Sequence, residues 1–105
     1  MAEVRLSRIA QADFDAIVDY LADIAGRRVA IVYAEQLQAS LNLLADFPGM
    51  GAPREQFGAE TRMVSVSPYL IFYDGAPGAP TAHVLRILDG RRNITPALIA
   101  RGREQ

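Results

Sequence analysis

The sequence predicts an α+β domain in which an antiparallel hairpin of two helices packs on a small, mainly antiparallel sheet, with the element order β-α-α-β-β-β. The first observation behind this prediction is a helical repeat of apolar residues in two segments joined at a single glycine, Gly26. The second is that residues 61–88 hold three runs rich in β-branched and aromatic side chains, separated by proline and glycine turns. We expect the 105 residues to form one domain, residues 1–105, with a core that needs no disulfides.

A short strand is expected at residues 4–6, followed by a helix that Ser7 caps and that runs to about Ala25. The apolar residues of this helix recur three and four positions apart and so form one stripe, which consists of Phe14, Ile17, Val18, Leu21 and Ile24. Three carboxylates lie on the opposite side and are expected to face solvent: Asp15, Asp19 and Asp23. The apolar side of the helix is therefore expected to cover the sheet.

A second helix begins at Arg27 and stops at Phe47, because Pro48 cannot continue it. Its main apolar stripe consists of Ala30, Tyr33, Leu37, Leu41 and Leu44. A second apolar seam projects away from that stripe and consists of Val32, Ala39 and Leu43. Two interpretations of the seam stay open: the sheet covers it, or it is a groove for a partner helix or strand.

Glycines and prolines make residues 49–58 a predicted loop. The three antiparallel strands that follow are expected at residues 61–67, 69–74 and 82–88. They are separated by a break at Pro68 and by a connector at residues 75–80. Residues 94–105 are expected to be a short tail with one helical turn after Pro96.

The last strand carries the most unusual residue of the chain. Residues 84–93 (VLRILDGRRN) read as a strand buried on both faces and closed by a turn. Arg86 lies inside it, and an unpaired buried charge costs several kcal/mol. This arginine must therefore pair with a carboxylate or reach a solvated groove. The carboxylates considered for Arg86, and likewise for Arg62 on an earlier strand, are Glu55, Glu60 and Asp89.

The composition narrows the possible functions. Eleven arginines, with no lysine, stand against twelve acidic residues, and the net charge of −1 is far from the footprint of a dedicated nucleic-acid binder. The absence of cysteine excludes thiolate chemistry and zinc sites built on cysteine. No leader and no apolar run of ~20 residues is apparent, so we expect a cytoplasmic protein without a membrane span. The residues predict no metal site and no cofactor.

Five stretches together resemble a known family. They are residues 7–20, residues 48–54 (PGMGAPR), Arg62, residues 67–73 (SPYLIFY) and residues 84–94. In their order and spacing they look like the ParE branch of the ParE/RelE toxin superfamily, and the likeness spans roughly the whole chain. Two positions depart from the family pattern. Ala52 stands where the family often has arginine, and Asp89 stands where it often has histidine.

The resemblance implies a toxin of a type II toxin–antitoxin pair, present in plasmid stabilisation systems and causing growth arrest. Such a toxin is neutralised by a small ParD-like antitoxin, whose disordered C-terminal part folds over it in a hetero-oligomer. Operator DNA is then bound only indirectly, through the antitoxin. The ParE branch is associated with poisoning DNA gyrase, and the RelE branch with cutting mRNA on the ribosome.

Residue chemistry separates these two activities. RNA cleavage through the 2′-hydroxyl needs a general acid, a general base and cations for the developing phosphorane charge. Arg62 and Arg91 match family positions that stabilise phosphate, but no tyrosine or histidine follows His83. We therefore prefer a gyrase-directed inhibitor that is not an enzyme. The alternatives are a RelE-like, ribosome-dependent mRNA endonuclease and a non-toxic, partner-binding member, the latter suggested by Ala52 and Asp89.

The candidate site residues follow from these arguments, and none is assigned a catalytic role. The residues expected to contact the target are Arg62, Arg86, Arg91 and Arg92. The residues expected to contact the antitoxin are Val32, Ala39 and Leu43. His83, the single histidine, is expected to be an exposed or hydrogen-bonded strand residue.

Overall fold

A layer of two helices packs on a mixed sheet in the computed structural model, which describes residues 1–104; Gln105, the end of the predicted tail, lies outside the described residues. The described residues form five strands and three α-helices: β1 (Glu3–Leu6), α1 (Arg8–Ala25), α2 (Arg27–Asp46), β2 (Ala52–Pro53), β3 (Thr61–Val66), β4 (Tyr69–Asp74), β5 (Thr81–Asp89) and α3 (Pro96–Ala100). The predicted order of elements is confirmed. The helical turn expected after Pro96 is α3, and the additions are β2 and two single 3-10 turns, at Glu55–Phe57 and Arg101–Arg103.

The strand order explains why the last strand is so apolar. The sheet runs β1-β5-β4-β3-β2, so β5 lies between β1 and β4. It pairs in parallel with β1 and antiparallel with β4, and the β2–β3 and β3–β4 pairs are antiparallel as well. Both faces of β5 are covered, because its apolar residues Val84, Leu85, Ile87 and Leu88 are at most 3% exposed.

Ser7 ties the start of α1 to the centre of the sheet. Its hydroxyl accepts a hydrogen bond from the Ala10 backbone N–H at 2.9 Å, as an N-cap does, and donates one to the Leu85 carbonyl at 2.9 Å. The two helices meet at Gly26, whose φ of 94° is a value that favours glycine. Their inner faces form the main core with one face of the sheet. One stripe residue differs from the prediction: Ile24, in the last turn of α1 beside the hairpin tip, is 62% exposed.

The second face of the sheet is covered by the C-terminal segment, which the sequence presented as a short tail. Thr95 caps α3, Pro96 opens it, and Ile99 is fully buried. A second apolar cluster results, consisting of Ile94, Leu98 and Ile99 against Phe57, Met63, Leu70, Phe72, Leu85 and Leu88. Gly102 approaches so closely that a Cβ there would lie 2.3 Å from the Leu85 carbonyl oxygen. The sheet is therefore buried on both faces, rather than on the helix side alone.

Candidate functional site

Arg86 is an interior residue of the fold. It is 6% exposed, and its guanidinium donates to both carboxylate oxygens of Asp13, from Nε to Oδ2 at 2.8 Å and from Nη2 to Oδ1 at 2.9 Å. Its Nη1 donates to the Leu98 carbonyl at 3.0 Å. The structure thus corrects two expectations. Arg86 does not lie on a surface that contacts a target, and its partner is Asp13 on α1, because α1 packs directly beside β5.

Asp13 also completes the edge of β5. The pairing with β1 ends where Leu6 faces Val84. Beyond that point the Ser7 hydroxyl donates to the Leu85 carbonyl, and Asp13 Oδ2 accepts the Ile87 backbone N–H at 3.0 Å. These side chains occupy backbone groups that an edge strand would otherwise offer to another chain. The Asp13–Arg86 pair therefore joins α1, β5 and α3.

Arg62 holds two loops together. Its Nη1 donates to the carbonyls of Gly49 at 3.0 Å and Gly51 at 2.8 Å, and its Nε donates to the carbonyl of Gly75 at 3.1 Å. No carboxylate of residues 1–104 forms an ion pair with it, so the salt bridges considered for Arg62 are not made. The Gly51 backbone N–H in turn donates to the Tyr73 hydroxyl at 2.8 Å. The Arg62 guanidinium therefore fixes the backbone that leads into β2.

Arg91 and Arg92 lie in the exposed turn that follows β5. Asp89 Oδ1 accepts the Arg91 backbone N–H and the Arg91 Nε, both at 2.9 Å, and Oδ2 accepts Nη2 at 2.6 Å. The Arg91 side chain is 75% exposed, whereas that of Asp89 is 28% exposed. The Arg92 backbone N–H donates to the Asp89 carbonyl at 3.1 Å. Asp89, one of the two departures from the family pattern, thus accepts hydrogen bonds from both the backbone and the side chain of Arg91 and orients that side chain in the turn.

Beside this turn is a shallow depression of about 200 Å³, lined by residues that include Ala16, Ile17, Tyr20, Tyr69 and Arg92. Tyr20, on α1, is 54% exposed. Tyr69 is buried, and its ring meets that of Tyr33 edge to face at 5.9 Å. Burial, and after it the Asp89 carboxylate, raises the pKa of Tyr69 above its ordinary value. Tyrosine beside arginine is the composition of energetically important interface residues.

The structure does not bring all the predicted target residues together. On β4, Tyr73 faces Arg62 and Tyr69 faces Asp89. These two tyrosines are four residues apart, which is about 13 Å along a strand. Arg62 and the Asp89–Arg92 turn are therefore at opposite ends of the sheet, and one phosphate group cannot contact both. Arg91 and Arg92 remain as neighbours on the surface.

Sequence reasoning missed Asp13 and Tyr20. Asp13 precedes Ile17 by four residues and so lies on the buried side of α1, where a carboxylate needs a partner as much as Arg86 does. A carboxylate on the buried side of a helix, together with an arginine inside a buried strand, was the signal that Asp13 and Arg86 pair. Tyr20 gave no comparable signal, because a tyrosine on a helix side is common.

The seam on α2 is exposed, which excludes the interpretation that the sheet covers it and leaves the partner groove as a prediction. Val32 is 49% and Leu43 46% exposed, and Ala39 is exposed as well. Phe47, at the end of the helix, is 59% exposed. The sheet does not cover these residues, and the seam is a surface free to meet a partner.

None of the helices in residues 1–104 is long and apolar enough to cross a bilayer.

The turn provides a measurable pKa. Hydrogen bonds from the Arg91 side chain, and then from its backbone N–H, lower the pKa of Asp89 from 3.8 to about 2. We call the hydrogen-bonded pair of Asp89 and Arg91 the clasp. Because the pKa of Asp89 is lower in the folded than in the unfolded state, the clasp contributes its full stabilisation of the fold above pH 3.8, and this stabilisation is lost as the pH falls through about 2. We expect carbon NMR of the Asp89 carboxyl to give that midpoint. Arg91→Gln should raise the pKa towards 3.8, whereas Arg101→Gln should leave it unchanged. A value near 3.8 in the native chain would contradict the clasp.

Comparisons with known proteins agree with the fold and the motifs. The family described as "ParE toxin of type II toxin-antitoxin system, parDE" matches residues 4–94. The chain is 40% identical to Toxin ParE1 of Caulobacter vibrioides over 73 residues, 70% of this chain and 76% of that protein. It is 28% identical to Toxin ParE3 of the same organism over 98 residues, 93% of this chain and 96% of that protein.

Among solved structures, the chain resembles one described as "Chromosomal ParDE TA system from P. aeruginosa". The TM-score is 0.71 at 22% identity, over 85% of this chain and 96% of that chain. This likeness supports the α+β arrangement, and the family match rests on sequence. The resemblance found in the motifs is confirmed, and the chain belongs to the ParE toxin family of type II toxin–antitoxin systems.

Proposed function

We propose that this toxin arrests growth by binding DNA gyrase through the turn after β5, and that a ParD-like antitoxin neutralises it by covering the seam on α2. The observation that carries the first part is the Asp89–Arg91 clasp, which presents two exposed arginines in a fixed turn. An arginine already held in place loses less conformational entropy when it binds. The gyrase assignment itself comes from what the family resemblance implies.

Tyr20 and the neighbouring depression extend the proposed contact beyond the two arginines. A flat ring beside a guanidinium gives a partner both apolar area and charge-assisted hydrogen bonds. Tyr20 and Arg92 line the same depression, and Arg91 is the next residue along the turn. The proposed target surface therefore comprises Tyr20, Arg91 and Arg92.

The RNA-cleaving alternative finds no support in the arrangement of side chains. His83 faces Asp74 on β4, at the end of the sheet away from Arg91. Arg62 donates to three carbonyls, and apolar contacts with α3 fill the second face of the sheet. Beside the exposed arginines, the Asp89 carboxylate is bonded to Arg91 and Tyr69 is buried, which leaves the exposed Tyr20 hydroxyl. General acid–base catalysis needs both an acid and a base within hydrogen-bond reach of the reacting group.

The antitoxin assignment rests on the exposed seam and on the family. Val32, Ala39 and Leu43 recur along one side of α2, as anchors for an amphipathic segment do. Antitoxins of this kind carry the operator-binding part, so this chain would meet DNA only through them. The name of the P. aeruginosa system pairs a ParE with a ParD.

The test replaces both arginines of the turn. We expect Arg91→Ala with Arg92→Ala to reduce growth inhibition at least about tenfold, because arginine is among the residues whose truncation at an interface weakens binding most. The matched control, Arg27→Ala with Arg101→Ala, removes two exposed positive charges elsewhere and should stay toxic. Purified proteins would be added to a gyrase supercoiling and cleavage assay and, in parallel, to a translating system read by primer extension. Thermal melting would verify the fold of every variant.

The expected result is accumulated cleaved DNA with intact message for the native chain, and neither effect for the double variant. Codon-phased cuts in mRNA with unaffected gyrase would overturn the proposed target. Full toxicity in the double variant would move the contact surface away from the turn. No effect on growth or on either assay, at verified protein levels, would leave a partner-binding member without toxicity.

A further inference from the structure

The outer side of α2 carries a regular seam that no part of the described chain covers. Together with Gln36 between them, the seam residues Val32, Ala39 and Leu43 form a row spaced four, three and four positions apart. All four are exposed. This is the a/d spacing by which two helices pack along their length. Small Ala39 near the centre allows a second helix to approach closely.

We propose that two copies of this chain associate through this seam, with their α2 helices antiparallel. If Val32 of one copy faces Leu43 of the second, then Gln36 of the first faces Ala39 of the second. The two-fold axis then passes between residues 37 and 38, and every contact occurs twice. A C2 interface needs such a self-complementary surface. The pairing from Arg28 to Asp46 would extend over about 27 Å of helix at 1.5 Å per residue.

Charge complementarity argues for a second copy in this orientation. Arg28 and Asp46 lie at opposite ends of α2, and both are exposed. Within residues 1–104 neither takes part in an ion pair. The antiparallel arrangement brings Arg28 into the same turn as Asp46 of the second copy, twice by symmetry. A parallel arrangement would instead set Arg28 beside Arg28.

In the antiparallel arrangement the two helix dipoles also attract one another. This inference goes beyond the proposed function, because it concerns the free toxin. Since the proposed antitoxin surface shares Val32, Ala39 and Leu43, antitoxin binding and self-association would exclude each other.

Analytical ultracentrifugation of the full chain, purified free of antitoxin, tests the proposal. We expect the mass to rise with concentration from one chain to two. Arg28→Glu or Asp46→Arg alone should raise the dissociation constant of the dimer about tenfold, because the two symmetric ion pairs together account for about 1.4 kcal/mol. The combination of both reversals should restore the native constant to within about threefold. Both substitutions suit the helix dipole, so they preserve the helix.

An adjacent residue supplies the apolar control. Val32→Asp should abolish self-association. Ile31→Asp should not, because Ile31 is about as exposed as Val32 but points to a different side of α2, away from the seam. Circular dichroism melts would verify both folds. One-chain mass at all concentrations would overturn the proposal. The proposal would also be overturned if the double charge-reversal variant dimerised as weakly as either single variant, or if Val32→Asp left the dissociation constant of the dimer unchanged.

Titration of a ParD-like antitoxin into the same variants keeps the two proposals apart. If Val32→Asp loses self-association but binds antitoxin normally, the inferred dimer stands and the proposed antitoxin surface is wrong. If the native chain is always a single copy but Val32→Asp loses antitoxin binding, the dimer is wrong and the antitoxin surface stands.

Discussion

Replacing Asp13 with alanine is expected to lower the free energy of unfolding by about 3–5 kcal/mol, the cost of leaving a buried partner charge uncompensated. Arg86 would keep its positive charge at 6% exposure, and the Ile87 backbone N–H would lose its acceptor. Urea denaturation followed by circular dichroism measures the change. Small domains have a total stability of about 5–15 kcal/mol. The variant should therefore lose a large share of its stability, and its toxicity should fall only as far as the folded fraction falls, because the turn after β5 is unchanged in sequence.

Two further variants make this result specific. Asp15→Ala removes an exposed carboxylate from the same helix and should change the stability by less than about 0.5 kcal/mol. Asp13→Leu with Arg86→Met removes both charges, and should recover at least about half of the loss because no buried charge remains unpaired. A loss below about 1 kcal/mol for Asp13→Ala would contradict the buried pair.

Ile99→Ala is expected to cost about 2–5 kcal/mol, the range for deleting a fully buried aliphatic side chain. Ile99 is 0% exposed and packs with Phe72, Leu85 and Leu88 on the second face of the sheet. The cavity would open beneath β5, beside the Arg86 contact to Leu98. The C-terminal segment should then detach, which hydrogen exchange of the α3 amides would detect.

The matched control for this substitution is Ile24→Ala. The same atoms are removed, but from a side chain that is 62% exposed. We expect a change of less than about 0.5 kcal/mol, because surface positions without special contacts tolerate truncation. Equal losses for the two variants would mean that the C-terminal segment is not docked on the sheet.

Much of the fold could be predicted because local patterns encode it. The strands at residues 61–67, 69–74 and 82–88 agree with β3, β4 and β5 to within about one residue at each end. Ser7, Gly26 and Pro48 marked the limits of the helices, because the capping and the ending of a helix depend on residues close in sequence. The docking of the C-terminal segment on the sheet escaped prediction, although its helical turn after Pro96 was expected. Its helix has five residues, too few for a periodic pattern, and its role depends on which sheet face lies beneath it.

The candidate site was predictable only in part. Arg91 and Arg92 follow a strand that ends in a turn, so their exposure could be anticipated from local sequence. Arg62 and Arg86 could not be assigned in this way. Each is a charge in a strand, and whether it reaches solvent, a carbonyl or a carboxylate depends on segments far away in sequence.

The sequence by itself determined the element types, the helix hairpin, the buried last strand and membership of the toxin family, since these follow from periodicity, turn residues and motif order. Only the tertiary structure decided the pairing of Arg86 with Asp13, the closure of the second sheet face and the exposure of the α2 seam. The physical reason is the same for all three. A local pattern fixes the direction of a side chain relative to its own element, whereas its partner depends on which other elements pack there.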